Sequence, residues 1–344
     1  MSKLVKYTIS LVSGDGIGPE LADAANLLLE TIGSHSKAKF DILRIDAGDG
    51  TKAKSGKALP DQALDAIKQS DACLKAPVGE SAAEVVLVLR QTMDLFANVR
   101  PIKSFPNLEG LSDSIDMVIV RENTEDLYLG WEFEADKNTI ISLRRTSERA
   151  SRRIAEYAFR LCSQRNNKKK VVAVHKANVL RRADGLFAST CRIVSKGFPN
   201  ITFTEQYVDA CAMNLIRNPE NYDVIVTTNM FGDILSDEAI QVAGSIGMGP
   251  TCNIGDDFAL FEPVHGAAFD LAGKNAANPS SILLSCKLML EWLGEKNSDT
   301  IAVREAQKIE RAIKKLLKRN MKTIDIGGKL STSEFTEAVI GEMY

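Results

Sequence analysis

Along almost its whole length this chain alternates short β-branched runs with longer stretches of helical period, and that alternation admits few architectures. Strand signals fall at 7–12, 39–45, 71–76, 116–120, 171–174, 201–207 and 223–228. Helical periodicity covers 18–32, 60–69, 81–96, 147–163, 184–196, 210–217, 232–245, 278–294 and 302–318. Strands separated by helices are joined by crossovers that lay helices over the sheet, so the pattern argues α/β layers. With 344 residues the chain is long enough for two domains and a large buried core. No repeat of roughly 20–50 residues and no low-complexity segment interrupts it.

One segment breaks the rhythm. Within residues 129–146, Gly130-Trp-Glu-Phe-Glu alternates apolar and polar side chains, and Asn138-Thr-Ile-Ile-Ser-Leu-Arg alternates again. This reads as a β-hairpin arm. Carrying Trp131, Phe133 and Ile140, it is too apolar to stand alone in water, so pairing with the same arm of a second subunit is expected.

Composition removes several function classes. A net charge of −2 gives no global field toward nucleic acid or a membrane surface. No apolar run approaches the roughly 18 residues of a spanning helix. The first strand signal, Tyr7-Thr-Ile-Ser-Leu-Val12, follows no signal-peptide pattern, and the six cysteines are scattered without a Cys-x-x-Cys pair. Reduced core cysteines and a cytoplasmic location are expected. Only three histidines are present, so chemistry has to rest on Asp, Lys, Arg and Tyr rather than on a His-rich zinc site.

The stretch Asn229-Met-Phe-Gly-Asp-Ile-Leu-Ser-Asp237 follows a buried-strand pattern. Asp233 and Asp237, four residues apart on a helix, share one face with roughly 5–6 Å between Cβ atoms. Such a pair suits a hard cation, Mg²⁺ or Mn²⁺, or else a solvated first turn favoured by the helix dipole. Arg90, Arg100 and Arg121 sit at the ends of apolar elements; they suit a polyanionic ligand such as a dicarboxylate, or internal ion pairs. Lys176 directly follows the run Val171-Val-Ala-Val-His, where a partly desolvated lysine can move a proton or can simply snorkel. His175 reads as a hydrogen-bonded structural residue. Residues 260–278, with Glu262, His265, Gly266, Asp270 and Asn278, form a long polar and glycine-containing loop before a helix starting at Pro279. The cluster Ser13-Gly-Asp-Gly-Ile-Gly-Pro departs from the Gly-x-Gly-x-x-Gly spacing of dinucleotide folds, and a tight strand-to-helix turn needs the same glycines.

Together these segments resemble the β-decarboxylating dehydrogenase family of isocitrate, isopropylmalate and homoisocitrate dehydrogenases, most nearly its archaeal-type isopropylmalate branch. The resemblance rests on Gly14-Asp-Gly-Ile-Gly-Pro, Leu89-Arg90 with Asn98-Val-Arg-Pro, Arg121-Glu-Asn-Thr-Glu-Asp-Leu-Tyr128, His175-Lys-Ala-Asn178, the Asn229–Asp237 stretch and Glu262-Pro-Val-His-Gly266. It covers nearly the whole chain. It implies an α/β fold with a large mixed sheet flanked by helices, distinct from a standard Rossmann fold. Residues 1–97 and 246–344 would form the larger, NAD-binding domain, and 98–245 the smaller one with the arm and dimer interface. The site would lie in the cleft between them.

The resemblance also implies roles. Mg²⁺ or Mn²⁺ would be held by Asp233, Asp237 and the partner subunit's Asp209, and the partner subunit's Lys176 would serve in removing the hydroxyl proton. Tyr128 would protonate the enol carbon, and Arg90, Arg100 and Arg121 would hold the malate carboxylates. NAD would lie along Glu262, His265, Gly266, Asp270 and Asn278, with Asn178 nearby. A carboxylate at Asp270 accepts from a ribose 2′-OH and repels a 2′-phosphate, which favours NAD over NADP. Homodimers with shared sites are implied, possibly assembled into tetramers. Val86 and Leu87 share the helical face of Arg90 and suit an isopropyl group, so 3-isopropylmalate is the expected substrate. Homoisocitrate, isocitrate or a smaller alkylmalate are the alternatives, since Ala83 stands where bacterial isopropylmalate enzymes often carry Glu. A noncatalytic regulatory subunit of the same family is a further alternative, opposed by the presence of Tyr128, Lys176, Asp209, Asp233 and Asp237.

Overall fold

The computed structural model describes residues 5–344. The chain divides into two compact units: one holds the residues up to Met93, Phe105–Glu109 and Ser245–Tyr344, the other Asp94–Ser104 and Gly110–Gly244. In chain order the first unit opens with β1 (Val5–Val12), α1 (Gly18–His35), β2 (Ala38–Ile45), α2 (Asp49–Ser55), α3 (Asp61–Lys68), β3 (Ala72–Lys75) and α4 (Ala82–Thr92). The second unit contains β4 (Ala97–Lys103), β5 (Asp116–Glu122), β6 (Glu132–Asp136), β7 (Thr139–Ser142), α5 (Glu148–Arg165), β8 (Lys170–His175), α6 (Ala183–Ser195), β9 (Thr202–Tyr207), α7 (Val208–Arg217), β10 (Val224–Thr227) and α8 (Asn229–Val242). The chain then returns to the first unit with β11 (Pro250–Ile254), β12 (Ala259–Pro263), α9 (Ser280–Asn297), α10 (Thr300–Lys318) and α11 (Thr332–Met343).

Within the first unit the strand order is β2-β1-β3-β12-β11, parallel except for the antiparallel β11–β12 pair. Within the second it is β4-β5-β10-β8-β9, parallel except for β4 against β5. These ten strands belong to one large mixed sheet flanked by helices, as the resemblance implied. Strands β3, β8 and β10 are apolar and buried along almost their full length, which a sheet covered on both faces requires.

All the strands and helices read from periodicity are present. Five further elements, β4, β11, β12, α2 and α11, were not foreseen. The helix expected over 81–96 ends at Thr92, and β4 starts five residues later. The hairpin arm is formed by β6 and β7, paired antiparallel with Phe133 opposite Ile141. Every residue of its two strands is exposed.

The glycine cluster is a packed turn. A Cβ on Gly14 would lie 1.9 Å from Pro77 O, and one on Gly16 would lie 2.0 Å from Ala267 O. The Asp15 and Ile17 amides donate to those same two carbonyls, at 2.9 and 2.8 Å. The buried Asp15 carboxylate accepts from the amides of Asp49, Gly50 and Gly79. The Asp15 and Ile17 amides are thus spent on neighbouring loops rather than free to cradle a phosphate.

Candidate active site

In the second unit, cross-strand register places two arginines together. Asn98 lies opposite Arg121, and Arg100 is two residues along from Asn98, so Arg100 and Arg121 share one face of the β4–β5 pair. Helix α8 packs on that face. Gly232 makes this approach possible, because a Cβ there would lie 2.6 Å from Arg121 Cγ. The result is a buried guanidinium pair facing the first turns of α8. Arg100 donates to Asp237 Oδ1 at 2.6 Å, to Ser236 Oγ at 2.7 Å and to Asp233 Oδ1 at 3.1 Å. Arg121 donates to Asn229 Oδ1 at 2.8 Å and to Asp233 Oδ1. Tyr128 donates its hydroxyl to Asp233 Oδ2, and the Arg121 guanidinium lies 4.7 Å from its ring centroid.

The internal pairing that the sequence left open is thus realised, and its partners are the two carboxylates read as cation ligands. Partial burial raises the Asp237 pKa, with Arg100 opposing the shift and Asp233 adding to it. Burial likewise raises the Tyr128 pKa; Arg121 pulls it back and the hydrogen bond to Asp233 pushes it further up. Tyr128 therefore carries its proton at neutral pH.

Lys176 follows β8 and Asp209 opens α7, and the two pair with each other at 2.7 Å. That hydrogen bond holds the Asp209 carboxyl below its usual range. Among the described residues neither joins Asp233 or Asp237 by a hydrogen bond or ion pair. His175 is structural, as expected: its Nδ1 accepts from the Ala177 amide, which leaves Nε2 to donate to Glu205 at 3.2 Å. Asn178 lies exposed in the turn after Lys176.

In the first unit, Arg90 at the end of α4 is buried beside Glu262 of β12. Arg90 donates to Asn253 Oδ1 at 3.1 Å and lies 3.6 Å from Glu262 Oε1. Lys75 reaches Glu262 Oε2 at 2.9 Å, as the β3–β12 register dictates by pairing Leu74 with Phe261. Burial alone would raise the Glu262 pKa, but Lys75 and Arg90 outweigh it and hold the carboxyl at about 2. On α4, Val86 and Leu87 are half-buried, Ala83 is exposed, and Glu84 pairs with Lys52 of α2.

The loop after β12 is shorter than expected, because β12 takes residues 259–263, and its helix starts at Ser280 with Pro279 before it. His265 is half-buried, and the protein atoms crowding its ring lower its pKa. Gly266 and Asp270 are exposed, Asp270 within a single 3₁₀ turn, Phe269–Leu271. Asn278 is buried and donates to Asp325 Oδ2 at 3.0 Å.

The isocitrate/isopropylmalate dehydrogenase family matches residues 8–339. The chain belongs to that family. It is 46% identical over 339 residues to the 3-isopropylmalate dehydrogenase of Sulfurisphaera tokodaii, covering 98% of each chain. It is 41% identical over 340 residues to the isocitrate/homoisocitrate dehydrogenase of Thermus thermophilus, covering 97% of this chain and 98% of the relative. Among solved structures it superposes on the isocitrate dehydrogenase of Methylococcus capsulatus with a TM-score of 0.90 at 37% identity, covering 98% and 99% of the two chains. It is an oxidatively decarboxylating dehydrogenase.

As a member of this family the chain has a donor set that fits a hard divalent cation in part. Asp233 and Asp237 offer oxygen ligands on successive turns of one helix. Among the described residues no third carboxylate, His or Cys joins them.

Sequence reasoning missed Lys75, Asn253, Ser236 and Asp325. Lys75 ends an apolar strand as Arg121 does, and that signal could have found it. Asn253 and Asp325 lie in segments where no periodicity marked an element.

Proposed function

We propose that this chain catalyses the NAD-dependent oxidative decarboxylation of 3-isopropylmalate to 2-oxoisocaproate and CO₂, the step that serves leucine synthesis, in the cytoplasm. The observation that carries the chemistry is the cluster of Arg100, Arg121, Tyr128, Asp233 and Asp237. Arg90, Arg100 and Arg121 hold the two carboxylates of the malate. Substrate carboxylates can replace the aspartates as partners of Arg100 and Arg121, so no guanidinium is left uncompensated in a buried site. Asp233 and Asp237 of one chain, with the partner subunit's Asp209, would hold Mg²⁺ or Mn²⁺, which supplies Lewis-acid polarisation of the substrate's 2-oxygen. The partner subunit's Lys176 takes the hydroxyl proton. Tyr128, protonated and beside Asp233, delivers a proton to the enol carbon after CO₂ leaves. NAD, the hydride acceptor, would be held by Glu262, His265, Gly266, Asp270 and Asn278, together with Asn178. The exposed Asp270 carboxylate would accept from the ribose 2′-OH.

Shared sites require a dimer. The arm exposes Phe133 and Ile140, and the α7–α8 pair exposes Met213, Ile216 and Ile234 at 49%, 55% and 61%. Apolar side chains at that exposure on two packed helices and a hairpin support burial against a second copy of this chain.

Substrate choice rests on α4. The half-buried Val86 and Leu87 offer no hydrogen bond to a third carboxylate. Lys52 favours a second reading: it is a cation outside α4 that already contacts Glu84 on that helix, and it could meet the extra carboxylate of homoisocitrate or isocitrate. The test is NADH formation by the purified chain with Mg²⁺ or Mn²⁺, ranking 3-isopropylmalate, homoisocitrate, isocitrate and malate by kcat/KM. Preference for 3-isopropylmalate supports the apolar reading, and preference for a tricarboxylate overturns it while leaving the chemistry intact.

A further inference from the structure

Arg144 follows the arm directly, is largely buried, and has no part in the roles above. Its guanidinium joins three segments of the second unit. Nε donates to Asp126 Oδ1 at 2.6 Å, and Nη2 donates to Thr228 Oγ1 at 2.9 Å. Nη1 lies 2.8 Å from Asp184 Oδ1 as an ion pair. The guanidinium carbon sits 5.0 Å from the Phe231 ring centroid.

Each contact leads to a different working element. Asp126 opens the 3₁₀ turn Asp126–Leu129 that contains Tyr128, with its backbone held at φ +74°. The same carboxylate accepts from the Met230 amide in the first turn of α8. Asp184 accepts the backbone amide of Lys176 at 2.6 Å. Thr228 precedes α8, which carries Asp233 and Asp237. Asp126 and Asp184 are both fully buried, and Arg144 is the cation that pairs with each of them.

We propose that Arg144 is a positioning residue that fixes the Tyr128 turn, the Lys176 backbone and the head of α8 in one frame. The proposal rests on the roles given to those residues above. A guanidinium can do this from one place: its planar fork donates to Asp126 and Thr228 in fixed directions while its delocalised charge faces Asp184, whereas an ammonium is a point charge with a single centre. Arg144 also reaches beyond its own site. Through Asp126 and Thr228 it serves Tyr128 and α8 of its own chain, and through Asp184 it serves the lysine lent to the partner's site.

The test is Arg144→Lys, which keeps the charge and loses the fork. The expected result is a folded protein whose kcat falls about tenfold or more while KM for the hydroxy acid stays within about threefold, as misplacement rather than lost binding requires. Hydride transfer and product protonation should slow together, because both proton-handling groups are released. A kcat within about twofold of the parent, or a loss seen in KM alone, overturns the proposal. Tyr128→Phe and Lys176→Ala are measured in parallel. If both keep activity, the site reading itself fails; if both lose it while Arg144→Lys does not, only the positioning role fails. Should Arg144→Lys not fold, Thr228→Val removes one of its hydrogen bonds and Asp126→Asn removes the negative charge it pairs with; lowered kcat at unchanged KM supports the proposal and parental kcat in both overturns it.

Discussion

Lys176 Nζ donates to Asp209 Oδ1 of its own chain at 2.7 Å, while Asp233 and Asp237 are engaged by Arg100 and Arg121. Two functional sets that carry their own counter-charges fit a design in which each chain completes the other's site. Subunit mixing tests this. Lys176→Ala and Asp233→Asn homodimers should each be nearly inactive. Mixed dimers hold one site with both defects and one site with neither, so an equilibrated mixture should recover about a quarter of parental activity. No recovery after verified exchange would place Lys176 in the site of its own chain.

Tyr128 should separate the two halves of the reaction. Burial and the bond to Asp233 keep its phenol protonated, so at neutral pH it has a proton to give and no basic form to take one. Tyr128→Phe should slow enol protonation by roughly 10²–10⁴-fold and hydride transfer much less. Exchange of substrate-derived protons into product and single-turnover NADH formation measure the two separately. Equal loss of both would give the tyrosine a wider role.

Most of the fold is legible in the sequence. The β10–α8 junction announces itself because a fully buried strand is followed by a helix whose acids share one face, and periodicity is strongest where burial is most one-sided. β4 was hidden because Pro101 lies inside it and the helical pattern of α4 runs toward it. β11 and β12 were hidden because short strands bounded by Pro and Gly, with Asn253 and Glu262 pointing inward, lack the expected alternation. The arginines illustrate the limit of one-dimensional reading. Sequence separates Arg100 from Asp237 by more than a third of the chain, and only strand register and the missing side chain at Gly232 show that they meet.

Cofactor choice should follow Asp270. The carboxylate is exposed on a short turn and free to accept from a ribose hydroxyl or to repel a phosphate. Replacing Asp270→Lys together with Leu271→Tyr should lower kcat/KM for NAD relative to NADP by about tenfold or more, since a charge-assisted hydrogen bond of roughly 1.5–3 kcal/mol is exchanged for its opposite. Steady-state kinetics with both dinucleotides decides it. An unchanged ratio would place ribose recognition elsewhere on the loop.

Glu262 should set part of the acid stability of the first unit. Its folded pKa, about 2 against an ordinary 4.5, means that the folded state holds the charged form against Lys75 and Arg90. Its contribution is complete above pH 4.5 and is lost as pH falls toward 2. Glu262→Gln removes that titration and leaves two buried cations without their counter-ion, a loss of about 3–5 kcal/mol at neutral pH. Denaturant melts of parent and variant should therefore differ most near pH 7 and converge as the pH drops through that window. A constant difference across the range would mean that Glu262 titrates alike in the folded and the unfolded chain, and that Lys75 and Arg90 are balanced by something other than its charge.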